Sequence, residues 1–269
     1  MVTVGKPDLC ATVASLNRFG ACPRERHLQL AIRVFGYVKT VAHKVIAIDS
    51  RPMESNRETP DYKKLRPDFL QDYPDAVEEI DINFPTVFGP VLQTTFMVDS
   101  DHAHDQVTRK SLTGFIGFVG STPITWGSKR QGSIASSTYA AEFSALRTAT
   151  EEAIGLRYML RCLGCNVPSD GSCPTRIFGD NLSVILNAQN PAADLSKKHV
   201  AISFHVVREA IAAGITTAYW LKGIWNLSDI MTKQIPTAPF RQHCDYLYWR
   251  PQFHLHDNNR LADTEHITT

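Results

Sequence analysis

Residues 96–105 read FMVDSDHAHD. The first half is an apolar run with strand character, and it ends in Asp99, Asp101 and Asp105 interleaved with His102 and His104. Carboxylates this close repel one another, and a buried one is costly unless it is paired or holds a metal. The stretch therefore raises the question of whether other carboxylates in the chain converge on Asp99.

Working outward, β-branched and aromatic residues between turn formers predict five strands: VLQTTFMVD (91–99), LTGFIGFVG (112–120), STPITWGS (121–128), TRIFGD (175–180) and ITTAYWL (215–221). A long helix is predicted from the capping candidates Ser136, Ser137 and Thr138 to Gly164. Shorter helices follow over 182–188 and 200–213, the latter stopped by Gly214, with a last helical turn or two from Asn226. A three-strand meander followed by one long helix reads as an α/β sandwich rather than a repeating βαβ barrel.

On the long helix, Leu146, Ala149, Ala153, Leu156, Leu160 and Leu163 share one face, with Arg147 and Glu151 opposite. Glu142 falls within that apolar face. An acid near a helix start has a bland reading, attraction to the helix dipole, but other acids fit the same place. Asp99 ends the first strand, Asp180 ends the fourth, and Asp229 lies in WNLSDIMTK, in the closing helix. If the first and fourth strands are parallel neighbours, these acids meet at one sheet edge, where α/β sheets bind ligands. Four crowded carboxylates need divalent cations to stay ionised, and hard oxygen donors favour magnesium or manganese. Two such ions roughly 3.5–4 Å apart suit in-line displacement at a phosphate.

Composition sets the frame. The chain has 269 residues, 43% of them hydrophobic, enough to bury a full core. Lys plus Arg number 28 against 27 Asp plus Glu, so any basic surface for nucleic acid must be local. Six cysteines without an amino-terminal apolar leader suggest a reducing, intracellular compartment. Ala210–Leu221 is the longest largely apolar stretch, and it falls below the ~20 residues of a membrane span.

Four segments are expected. Residues 1–49 form a helical unit, with Leu16, Phe19, Leu28, Ile32, Phe35 and Val38 at helical spacing around Pro23. Residues 50–90, charged and proline-rich, read as a linker or loosely ordered insertion; 91–236 form the α/β domain, and 237–269 a tail.

Three further motifs are weak. His102 and His104, imidazoles beside carboxylates, invite a zinc reading. Cys162 and Cys165 form CLGC without a second pair, so free buried thiols are expected. GSTPITWGSK (120–129) lacks the ending of a phosphate loop.

Six motifs, in this order, resemble the ribonuclease H region of copia-type retrotransposon polyproteins: VDSDHAHDQVTRKSLTGF (98–115), ITWGSKRQ (124–131), SSTYAAEF (136–143), GDNLSVILN (179–187), KKHVAISFHVVRE (197–209) and NLSDIMTKQIP (226–236). The resemblance extends from about Lys6 to Phe240, and its start is similar to the helical end of the reverse transcriptase. It implies a ribonuclease H-like mixed five-stranded sheet with flanking helices, preceded by a small helical segment. It further implies that Asp99, Glu142, Asp180 and Asp229 are catalytic acids holding two Mg2+ or Mn2+ ions, with Asp101 and Asp105 in supporting or structural roles. The family motif needs no zinc ligand from His102 or His104. The implied substrate is an RNA–DNA hybrid, gripped through phosphates and 2′-hydroxyls. Candidate contacts are Arg109, Lys110, Ser128, Lys129, Arg130, Gln131 and Asn181, whose alternative reading is solvated turns. Lys197, Lys198 and His199 read at least as well as an exposed helix start. The remainder of the element polyprotein is a further implied partner, and the implied compartment is cytoplasmic, within particles, or nuclear.

The chain departs from the family pattern at Ala140, where many relatives carry a second Glu, at Trp225, where some carry His, and at Ala201, often Asp. The polymerase's catalytic aspartate pair is absent, so DNA synthesis by this polypeptide alone is not expected. Two readings stay open: a metal-dependent endonuclease cutting the RNA strand of hybrids, and a catalytically decayed relic that still binds nucleic acid. The four intact acids favour the first, Trp225 and the missing polymerase pair the second.

Overall fold

The computed structural model describes residues 5–53, 62–193 and 201–248. The expected cluster Lys197, Lys198 and His199, and residues 249–269 of the expected tail, lie outside the described residues.

Five strands, β1 (Thr94–Asp101), β2 (Leu112–Val119), β3 (Thr122–Arg130), β4 (Thr175–Gly179) and β5 (Thr216–Trp220), form one sheet in the order β3-β2-β1-β4-β5. β1, β2 and β3 are an antiparallel meander, while β4 pairs parallel with β1 and β5 parallel with β4. Antiparallel strands need only a tight turn, supplied between β2 and β3 by Gly120 at φ 58. A strand parallel to its neighbour needs a long crossover, which the helices provide. This order and these directions make the sheet the ribonuclease H-like one that the resemblance implies.

The helices are α1 (Cys10–Asn17), α2 (Glu25–Thr40), α3 (Tyr62–Asp72), α4 (Thr138–Cys162), α5 (Leu182–Gln189), α6 (Ala201–Ala212), α7 (Asp229–Thr232) and α8 (Thr237–Leu247). Alternation along the strands sends side chains to two cores. Phe96, Val98, Phe115, Ile177 and Ala218 face a core built with α4, α5 and α6, whereas Met97, Ile116, Phe118, Phe178 and Tyr219 face one containing Cys10, Ile230, Met231, Cys244 and Leu247. Both faces of β1 and β2 are covered, which explains their near-continuous apolar runs.

The α4 helix starts where the cap candidates place it: the Ser137 side chain accepts from the Ala140 N–H. Leu146, Ala149, Ala153, Leu156 and Leu160 are buried. Leu163, expected on the same face, is 68% exposed, because the helix ends at Cys162 and the chain turns away at Gly164, φ 76. Arg157 and Arg161 are buried instead, both ion-paired to Glu78 at 2.8 Å. The 50–90 segment, expected as a linker, thus supplies Glu78 and also α3, whose Phe69 is fully buried in the first core. All six cysteines are free; Cys162 is exposed rather than buried, since it ends the helix.

Candidate active site

The sheet's topology decides what meets at its edge. Asp99 sits in β1 opposite Gly114 of β2, and Asp180 directly follows β4, whose Gly179 pairs with Val98. Glu142 comes in from the second turn of α4. Ligand oxygens of Asp99, Glu142 and Asp180 all lie within 4.8 Å of one another. Asp99 and Glu142 are buried, 2% and 8% exposed. Asp229, at the start of α7, stands outside this threesome but is joined to it through Lys233, whose Nζ lies 3.5 Å from Asp99 Oδ2 and 3.1 Å from Asp229 Oδ1.

Two features seat α7 against β1 and β2. Gly114 has no side chain, and a Cβ there would come within 2.6 Å of Thr232 Cγ2 and 2.7 Å of Met231 Cβ. Only glycine allows so close an approach. Asn226, fully buried, donates to the Val98 carbonyl at 2.9 Å and accepts from the Ser228 hydroxyl at 2.5 Å. The Thr232 hydroxyl then donates to Asp99 Oδ2. Asn226, Thr232 and Lys233 were not singled out from the sequence. The spacing of Asp229 and Lys233, four residues apart on a helical turn, is the signal that could have found the lysine.

The charges are held under tension. Burial, and then the charges of Asp99 and Asp180, push the Glu142 carboxyl up to about 9. Burial and Asp99 raise Asp180 as well, and they push Asp229 to about 6. Burial pulls the Lys233 ammonium down, but Asp99 and Asp229 overcome that and hold it above its ordinary range. An all-oxygen donor set with this much uncompensated charge fits a hard divalent cation.

The remaining expected residues are scattered around this edge. Arg109 is exposed and Lys110 half-buried on the β1–β2 loop. Lys129 pairs with Glu152 at 2.5 Å, and Arg130 lies 3.5 Å from Asp105. The Ser128 hydroxyl is buried with no hydrogen-bond partner among the described residues. Gln131 is itself buried, its amide donating to Thr113 Oγ1 at 3.0 Å and to the Ala141 carbonyl at 2.9 Å. Asn181 caps α5, accepting from the Val184 N–H at 3.2 Å. His104 pairs with Asp101 at 2.6 Å and His102 contacts the Ala135 carbonyl, so neither joins the acid group. Trp225 ends a short turn and packs partly against the second core.

Among curated proteins, the chain is similar to the "Retrovirus-related Pol polyprotein from transposon RE1" of Arabidopsis thaliana, 24% identical over 236 residues, covering 88% of this chain and 13% of that protein. It is also similar to the Pol polyprotein from transposon TNT 1-94 of Nicotiana tabacum, 29% identical over 142 residues, 53% of this chain and 10% of that one. The chain is related to copia-type Pol polyproteins. It spans roughly a tenth of the length of these copia-type relatives. No protein-family model matches it. Among solved structures it is similar to RNase H1 from the halophilic archaeon Halobacterium salinarum NRC-1, at 16% identity, 53% of this chain, 95% of that chain and a TM-score of 0.38. LC11-RNase H1, solved in complex with RNA/DNA hybrid, matches at 11% identity, 52% of this chain, 94% of that chain and a TM-score of 0.40. The likeness is weak at such scores, and it is the strand order that makes the sheet ribonuclease H-like. Among the described residues, no helix is long and apolar enough to cross a membrane.

Proposed function

We propose that the chain is a metal-dependent endonuclease that hydrolyses the RNA strand of RNA–DNA hybrids. The observation that carries this reading is the meeting of Asp99, Glu142 and Asp180 within 4.8 Å, drawn from a strand, a helix and a strand end. Asp99, Glu142, Asp180 and Asp229 would hold the cations. When bound, two Mg2+ or Mn2+ ions supply an activated water and charge stabilisation for the leaving oxygen.

The chain's own residues do the rest. The Thr232 hydroxyl donates to Asp99 Oδ2 and so holds that carboxylate in place. Lys233 balances Asp99 and Asp229 and, 40% exposed, has room to swing toward solvent. Arg109 and Lys110 lie at the same end of the sheet, where they would meet phosphates of the hybrid, whereas Lys129 and Arg130, at that end too, are turned onto Glu152 and Asp105. The Ser128 hydroxyl is buried, so it does not meet the hybrid directly. Gln131 and Asn181 act indirectly in this scheme, their side chains holding the start of α4 and of α5.

A labelled RNA–DNA hybrid incubated with Mg2+ and the protein tests the reading. RNA-strand cleavage is expected, and Asp99→Asn should abolish it while leaving the melting temperature in chelator unchanged or higher. Binding of hybrid without any cleavage would instead identify a decayed relic.

A further inference from the structure

Asp105 takes no part in the acid cluster, yet its side chain is 5% exposed and draws contacts from three parts of the chain. Within its loop, Oδ1 accepts from the N–H groups of Val107 at 3.0 Å and Thr108 at 3.3 Å. Its carbonyl accepts from the Arg109 N–H at 2.6 Å, and its own N–H donates to the Lys110 carbonyl at 3.0 Å. Residues 105–110 are thereby closed into a compact turn whose last corner is Arg109 at φ 57, a backbone state that L side chains rarely adopt. Such a state persists where its surroundings over-determine it. From β3, Arg130 approaches to 3.5 Å. From the end of α1, a full 87 residues earlier in the chain, Arg18 Nη2 reaches Asp105 Oδ1 at 2.6 Å.

The turn lies where this matters. Asp101 pairs with Leu112, and Leu112 with Arg130, so the loop emerges at the sheet edge that carries Asp99. Arg109 and Lys110 are in no ion pair with a described residue, whereas the two arginines that could compete with them are both turned onto Asp105.

We propose that Asp105 is a positioning residue, pinned by Arg18 of the amino-terminal helical unit, that sets the β1–β2 turn so that Arg109 and Lys110 face the phosphates of a bound hybrid. The inference rests on the hybrid reading given above, and it makes the helical unit part of substrate binding rather than an appendage. Arg18 contributes through the turn and not through a phosphate of its own.

Full-length protein carrying Asp105→Asn, Arg18→Ala, Arg109→Ala and the pairwise combinations tests this. Fluorescence anisotropy with a labelled hybrid gives Kd in chelator at several salt concentrations, and cleavage with Mg2+ gives kcat and KM. Asn at 105 retains an acceptor for Val107 and Thr108, so the fold is kept while the ion pairs are lost. Asp105→Asn and Arg18→Ala should each raise Kd and KM by about fivefold, the upper end for one exposed charge contact. The slope of log affinity against log salt should fall by about one. Saturating kcat should remain within about twofold, and Arg18→Ala or Arg109→Ala should add little on top of Asp105→Asn. A purely structural role would shift melting temperature and leave Kd and the salt slope unmoved, which overturns the proposal; so does full additivity of Arg18→Ala and Asp105→Asn, or failure of the unmutated chain to bind hybrid. Binding that follows this pattern without cleavage sinks the nuclease reading alone.

Discussion

Glu142 shows how much a residue's surroundings decide. Its carboxyl lies among apolar side chains and within reach of two other acids, so the protonated form is favoured up to about 9. In the unfolded chain the same group ionises in the ordinary carboxylate range. Between those two values the folded state holds the extra proton, so raising the pH favours unfolding. In chelator the melting temperature should therefore fall as pH rises from about 5 to about 9, and Asp180 and Asp229, raised by the same causes, add in the same direction. Glu142→Gln should flatten that slope, and millimolar Mg2+ should do so in the unmutated protein by binding the ionised form. A scan of melting temperature against pH with and without Mg2+ checks both. That Glu142 would meet other acids was legible, because an acid on an apolar helical face is costly to bury unless a partner or a cation meets it there, and Asp99 and Asp180 do stand within 4.8 Å of it. Lys233 was not, because a lysine on a polar turn looks solvated until the fold sets Asp99 beside it.

At the scale of elements, α7 is four residues long and depends on its seat. Gly114→Ala forces a methyl group against Thr232 and Met231, and overpacking of this kind costs about 1–3 kcal/mol. The expected signature is a loss of hydrolysis larger than the loss of stability explains, since the displaced turn carries Asp229; denaturant melts and kcat on one preparation measure the two. The helix α4 has a second dependence. Burial works to raise the Glu78 carboxyl, but hydrogen bonds and charge from Arg157 and Arg161 overcome it and hold it below its ordinary value. Glu78→Gln leaves two buried guanidinium groups without their counter-charge, a loss on the order of 3–5 kcal/mol. Urea unfolding at neutral pH should show it, and the gap should narrow toward acid pH, where the unmutated carboxyl loses its charge as well. Strand and helix boundaries were readable because period and capping are local. The fate of residues 50–90 was not: Pro and charge give a segment the look of a linker, while Phe69 and Glu78 find their partners only once α4 and α6 are in place.

Across the whole molecule, the amino-terminal unit and the last helix are locked together through one acid. Asp8, 4% exposed, accepts hydrogen bonds from Tyr37 of α2 and from Tyr248 just beyond α8, the latter at 2.5 Å. Lys6 reaches the Val41 carbonyl at 2.8 Å, and its ammonium lies 5.2 Å from the centre of the Tyr248 ring. Tyr248→Phe removes one of the two donors to a buried carboxylate, which costs about 1.5–3 kcal/mol. Hydrogen exchange should then speed up in α1 and α8 together, while β1 and β4 keep their protection; acceleration confined to α8 would argue against the lock.

The sequence by itself determined the five strands, the long capped helix and the four acids worth watching, because hydrophobic period, turn residues and an acid on an apolar face are properties of neighbouring positions. The tertiary structure alone decided that Asp99, Glu142 and Asp180 close into one group with Asp229 set apart behind Lys233, that Glu78 answers Arg157 and Arg161, and that Arg18 holds Asp105. Most of those contacts join residues tens of positions apart, and Lys233 reaches Asp99 from more than a hundred away; they follow from strand order and helix seating. No local pattern encodes which charge will stand beside which.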